Sequence, residues 1–197
     1  MVKIWWGLLG ATLLGISSAF MVKTLRHKPA EPALPLMGDM PAFALTDQSG
    51  RAVTQNDLKG KTWVVDFIYT TCPDQCPMLS RHMEGLQGLL PKESTIQLVS
   101  ISVDPTHDTP AVLAQYAKRY HADPSHWRFL TGRPETIQRL QAGLKLAPPN
   151  NSPGEKTIDH SSRLILVDAQ ARVRGYYDAT ENKDVQRLVK DLSGLSK

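Results

Sequence analysis

Residues 62–77 read TWVVDFIYTTCPDQCP, and this stretch decides the fold. Trp63 to Tyr69 is an apolar, β-branched and aromatic run without alternation, the character of a central strand covered on both faces. Directly behind it stand Cys72 and Cys76, four positions apart and the only cysteines of the chain. Two thiols are too few for a disulfide scaffold and suit a single thiol site. Met78, Leu79, Met83, Leu86, Leu89 and Leu90 approximate helical spacing, so a helix is expected from Pro77 to about Leu90. Pro77 disfavours helical geometry in the residue before it, which puts Cys76 at the helix cap and Cys72 in the preceding turn.

Working outward, AFAL (42–45) and RAVT (51–54) form a hairpin with Ser49-Gly50 at its turn. Downstream, STIQLVSISVD is a second buried strand, and TPAVLAQYAKRYH is a helix with Thr109 as N-cap and Pro110 at its first position. WRFLTG is a short strand and RPETIQRLQAGLKL a helix. The stretch from Ala147 to Asp159, rich in Pro, Asn, Gly and Ser, is a loop. SRLILVD and RVRGYYD make a second hairpin, and ENKDVQRLVKDLSGL closes the chain as a helix. Strands and helices alternate centrally and hairpins lie at the ends. This is the order of a thioredoxin-like α/β sandwich, a mixed β-sheet flanked by helices on both faces.

The N-terminus differs in kind. Ile4 to Val22 holds no charged residue over 19 positions. As a helix it would measure roughly 28 Å, close to the hydrocarbon thickness of a bilayer. Trp5 and Trp6 suit an interfacial belt, and Lys3, Lys23, Arg26 and Lys28 bracket the span. A transmembrane anchor over residues 1–26 is therefore expected; the competing reading is a signal peptide cleaved near Ser17-Ser18-Ala19. Residues 27–40, with the prolines of HKPAEPALPLMGDMP, read as a semi-extended tether, and residues 41–197 as one domain. Length, with 41% hydrophobic and 21% charged residues, fits a single globular domain and excludes a disordered or repetitive chain. The net charge of +4 is spread over mixed acids and bases without like-charge runs, which argues for solubility and against a nucleic-acid partner.

Two thiolates are soft ligands, suited to copper(I) or zinc rather than magnesium or calcium. A metal-free redox dithiol and a static disulfide are the competing readings of the same pair. Cys76, at a helix N-terminus, is the expected low-pKa thiol. A third metal donor must be another residue type. His160, at the end of the long loop and just before SRLILVD, is the best placed. His82 and Met78 on the helix compete with it, His107, His121 and His126 are weaker candidates, and Met37 and Met40 of the tether are transient copper(I) donors at most.

FIYTTCPDQCPM, then VDPTHDTP, then IDHSSRLILVD, following an N-terminal span, resembles the Sco/SenC family of copper proteins. The resemblance covers Pro41 to the C-terminus. It implies a thioredoxin-fold domain holding copper through Cys72, Cys76 and His160, and assembling the binuclear copper site of cytochrome c oxidase. Partners implied are the copper-accepting oxidase subunit and a copper donor or thiol reductant protein. A membrane-anchored thiol:disulfide reductase acting through Cys72 and Cys76 is the alternative. The implied location is the bacterial inner membrane, single-pass, with the domain facing the periplasm. Asp104, Pro105, Asp108, Thr109 and Pro110 match the family's DPxxDTP segment, which on its residues is a turn after the second strand followed by a helix cap.

Overall fold

The computed structural model describes residues 34–146 and 162–195. The chain divides into two units, Met1–Ala33 and Leu34–Lys197, and every described residue belongs to the second. The expected span Ile4–Val22, the first part of the tether, the loop from Ala147 and His160 lie outside the described residues. Among the described residues no helix is long and apolar enough to cross a membrane.

In chain order the elements are β1 Gly38–Asp39, β2 Ala44–Asp47, β3 Ala52–Thr54, a 3-10 turn Gln55–Leu58, β4 Trp63–Ile68, α1 Gln75–Leu89, β5 Gln97–Ser102, α2 Pro110–Arg119, β6 Trp127–Thr131, α3 Pro134–Gly143, β7 Arg163–Val167, β8 Arg172–Asp178 and α4 Asn182–Leu195. The strands form one eight-stranded sheet in the order β1-β8-β7-β4-β5-β6-β2-β3. β4, β5 and β6 run parallel, while β7 joins β4 antiparallel and begins the terminal hairpin. Every residue of β4 and β5 is buried, as their largely apolar runs without polar alternation predict for strands roofed on both faces, and the burial takes in Asp66, Gln97, Ser100 and Ser102.

Side-chain alternation along these strands supplies two cores. Val64 and Ile68 of β4, Leu98 and Phe129 face α1, α2 and α4, and this layer includes both cysteines, Leu79, Met83, Leu113, Tyr116 and Leu188. Val65, Phe67, Val99 and Ile101 face the opposite way, against Leu58 and against Ile137 and Leu140 of α3. Helices thus flank the sheet on both faces, as the order of elements predicts. Gly50, with φ of 82°, makes the tight turn of the β2–β3 hairpin, where a side chain would be strained.

The last tether residues run along the sheet. Met37 N donates to Val173 O and Met40 N to Ala171 O, each at 2.9 Å, so Gly38–Asp39 is an outer strand on β8. Pro35 and Pro41 flank that strand instead of interrupting it, which is where an edge tolerates proline. Met40 is buried against the α3 side of the sheet and is no donor, whereas Met37 is exposed.

Candidate functional site

β4 ends at Ile68, and the chain turns through Tyr69–Asp74 into α1. Cys72 N donates to Tyr69 O at 3.2 Å, closing a turn that brings Cys72 back toward the helix. Cys76 N then donates to Cys72 Sγ, and Tyr69 N donates to Cys76 Sγ, both at 3.4 Å. Both sulfurs therefore accept main-chain N–H groups, and the two thiols, unbridged and buried, are locked across a single turn.

The helix begins earlier than the sequence suggests. Asp74 is the N-cap and Gln75 the first helical residue, so Cys76 lies inside the first turn and not at the cap. Pro77 falls in that same turn, where amides have no intrahelical acceptor and a missing N–H costs nothing. The consequence reverses the expected order of the thiols. Burial pushes the Cys72 thiol up, but the N–H groups of Cys76 and Asp74, with the Cys76 and Tyr69 side chains, outweigh it and hold Cys72 below its ordinary value. Burial pushes the Cys76 thiol far up; the Tyr69 N–H relieves only part, and negative charge at Cys72 and Asp66 adds to the rise. Cys72, in the turn, is the thiol with the more available anion.

Asp66 deepens this asymmetry. It is fully buried on the face of β4 that α1 covers, between Val64 and Ile68 and paired in register with Ser100. Neither carboxyl oxygen meets a donor at hydrogen-bonding distance, and the Ser100 hydroxyl itself accepts from Trp127 Nε1 at 3.0 Å. Burial pushes the Asp66 carboxyl up to about 7, with the nearby Ser100 hydroxyl moderating the rise. The Tyr69 phenol, driven first by burial and then by its contact with Cys72, is pushed up to about 12.

The segment after β5 reaches the same loop. His107 N and Asp108 N donate to Asp104 O at 3.1 and 2.8 Å, and Thr109 Oγ1 accepts from Val112 N to cap α2, as the sequence predicts for this turn. The Asp108 side chain does more than make a turn. It is wholly buried and accepts from Thr70 N at 3.1 Å, Thr70 Oγ1 at 2.5 Å and Ser102 Oγ at 2.6 Å. The signal for this contact was the second Asp of VDPTHDTP, a residue type rarely left buried without a specific set of partners.

Of the other candidate donors, Met78 packs partly buried against the α1 core and His82 is half-buried on α1. His107 is exposed, His121 Nδ1 is paired with Glu84 at 2.8 Å, and His126 Nε2 meets Lys92 O at 3.1 Å. Among the described residues no group of three or more His, Cys, Asp or Glu side chains gathers as a metal cage. What they supply is a preformed pair of soft sulfur donors, a chemically fitting partial site for a thiophilic ion.

The geometry has close counterparts. The SCO1 protein homolog of Bacillus subtilis is 32% identical over 164 residues, covering 82% of this chain and 85% of that protein. The solved structure of BsSco, a member of the Sco family of cytochrome c oxidase assembly proteins in which a disulfide switch was identified, superposes with a TM-score of 0.71 at 30% identity, over 84% of this chain and 98% of that one. Bradyrhizobium japonicum ScoI with copper bound gives a TM-score of 0.64 at 32% identity, over 80% of this chain and 99% of that one. The sheet described above is thus the thioredoxin-like fold of Sco proteins. Residues 38–196 match SCO1/SenC, a span that holds the whole sheet and both thiols, and the chain belongs to the SCO1/SenC family.

Proposed function

We propose that this chain binds copper(I) as cargo and delivers it to the binuclear copper site of cytochrome c oxidase. The observation that carries this reading is the pair of buried, unbridged sulfurs fixed by main-chain N–H groups at the β4–α1 junction. Copper bound in ScoI, and BsSco's place among oxidase assembly proteins, support it. Cys72, the thiol with the more available anion, is the first ligand. Cys76 gives up its proton as the ion arrives, since copper(I) holds it as thiolate, and the apolar layer around both sulfurs excludes water. His160 completes the set from the loop before β7. Delivery proceeds by exchange of these ligands for the cysteines and histidines of the oxidase subunit. With a span over Ile4–Val22 in an anchor of residues 1–26, a connecting stretch of residues 27–40 and a copper-binding domain of residues 41–197, the chain works at the periplasmic face of the bacterial inner membrane, the side that the family resemblance implies.

The test is metal analysis of the reduced, detergent-solubilised full chain beside His160→Ala. Wild type retains one copper per chain, and the variant binds about 100-fold more weakly in competition with a chromogenic copper(I) chelator. Equal affinities remove His160 from the site, and absence of copper from wild type removes the reading.

The inequality of the two thiols supports a second activity, reduction of a partner's disulfide. Cys72 thiolate attacks one sulfur of that disulfide and expels the other as thiolate; Cys76 then attacks Cys72, releasing the partner as a dithiol and leaving Cys72–Cys76 oxidised. Two electrons pass to the partner, and a thiol reductant protein restores the pair. Trapping of a mixed disulfide through Cys72 in a Cys76→Ser chain supports this order; trapping only through Cys76 in Cys72→Ser overturns it.

A further inference from the structure

We infer that Asp108 is a positioning residue for the thiol pair, holding the Cys72 turn in place through Thr70. Three donors converge on its carboxyl group, and two of them belong to Thr70, two residues before Cys72. No cationic side chain pairs with it among the described residues, so these donors are its support. Its own position is fixed from behind, because Asp108 N is bonded to Asp104 O and the next residue caps α2. Ser102, at the end of β5, ties the same carboxyl to the sheet.

The bond from Cys76 N to Cys72 Sγ, at 3.4 Å, depends on where the turn after Thr70 places the sulfur. Thr70 receives no other side-chain acceptor among the bonds described, so releasing it from Asp108 frees the start of that turn. The turn then drifts, the sulfur loses its N–H donor, and the dithiol arrangement that receives copper is no longer preformed. Outer residues of this kind commonly alter metal affinity by about 10–100-fold when removed.

The copper arm of the test rests on the function proposed above; a metal-free arm stands apart from it. In the full chain in detergent, Asp108→Ala lowers copper(I) affinity about tenfold. Without metal, its equilibrium with dithiothreitol, read by alkylation trapping, shifts about tenfold toward the Cys72–Cys76 disulfide, or about 30 mV. Asp108→Asn keeps both values within about threefold, because its carboxamide oxygen still accepts from Thr70 N while its NH2 donates to a reoriented Thr70 hydroxyl. Thr70→Val, which retains the N–H donor, shifts the equilibrium about threefold and decides the matter if Asp108→Ala fails to fold. A wild-type thiol equilibrium in folded Asp108→Ala, or in Thr70→Val, overturns the inference, as does an Asp108→Asn chain as displaced as Asp108→Ala. Should wild type bind no copper while Asp108→Ala still shifts the thiol equilibrium, the positioning role stands and the copper function falls.

Discussion

The turn that carries Cys72 and the first helical turn that carries Cys76 share one apolar layer, yet they treat a sulfur in opposite ways. Cys72 looks back at the N–H groups of Asp74 and Cys76, which favour its anion over the opposition of burial. Cys76 points into the core beneath α1, with a single N–H donor and the Asp66 carboxyl as a neighbour, and burial governs it. A helix N-terminus does not by itself acidify a thiol. The sulfur must face the free N–H groups, and here Cys72, in the turn before the Asp74 cap, faces them while Cys76, inside the first helical turn, faces only the Tyr69 N–H.

The strongest way to sharpen this contrast is to neutralise Asp66. Unfolded, this carboxyl ionises near 3.8, whereas in the fold it keeps its proton up to about 7. Between those values the folded chain holds a proton that the unfolded chain has lost, so stability from this group falls as pH rises and levels off above about 7. Asp66→Asn should therefore stabilise the reduced protein by as much as about 4 kcal/mol at pH 8, with the gain vanishing below about pH 4. Urea unfolding across that range reads it, and a gain independent of pH would mean that Asp66 is not held protonated.

The next effect is chemical. Iodoacetamide at pH 7.5 should modify Cys72 about 100-fold faster than Cys76, as peptide mapping of the reduced chain would show. Equal rates break the comparison outright. The smallest effect belongs to the Tyr69 phenol, whose hydroxyl supports the Cys72 anion. Tyr69→Phe should slow Cys72 alkylation about threefold and leave Cys76 unchanged, and a faster Cys72 would show that the phenol shields the sulfur more than it activates it.

Much of this architecture was legible in the sequence. The largely apolar run of β4 and the pairing of the two terminal hairpins follow from residue type and turn chemistry, and Thr109-Pro110 marked the start of α2 correctly. The start of α1 was not legible, because Pro77 reads as a first helical residue although any position in the first turn tolerates it. That displacement of two residues was enough to exchange the characters of the cysteines. Asp66 and Asp108 were opaque for a different reason. One sits in a strand and the other in a turn, and only the parallel pairing of β4 with β5 brings those segments together, so that Asp108 meets Thr70 and Asp66 stands beside Ser100. Contacts between segments about forty residues apart leave no periodic trace along either one.

The short β1 strand carries a mechanical consequence. Residue 34 is where the described unit begins, and Arg174 donates to the Leu34 and Pro35 carbonyls while Met37 and Met40 are stitched to the β8 hairpin. Tension applied along the chain from residue 34 would meet these outer bonds first, on the flank of the sheet away from β2 and β3. β7 and the hairpin turn stand between that load and β4, so the fastening can yield and reform while the strand that ends at the thiols keeps its place.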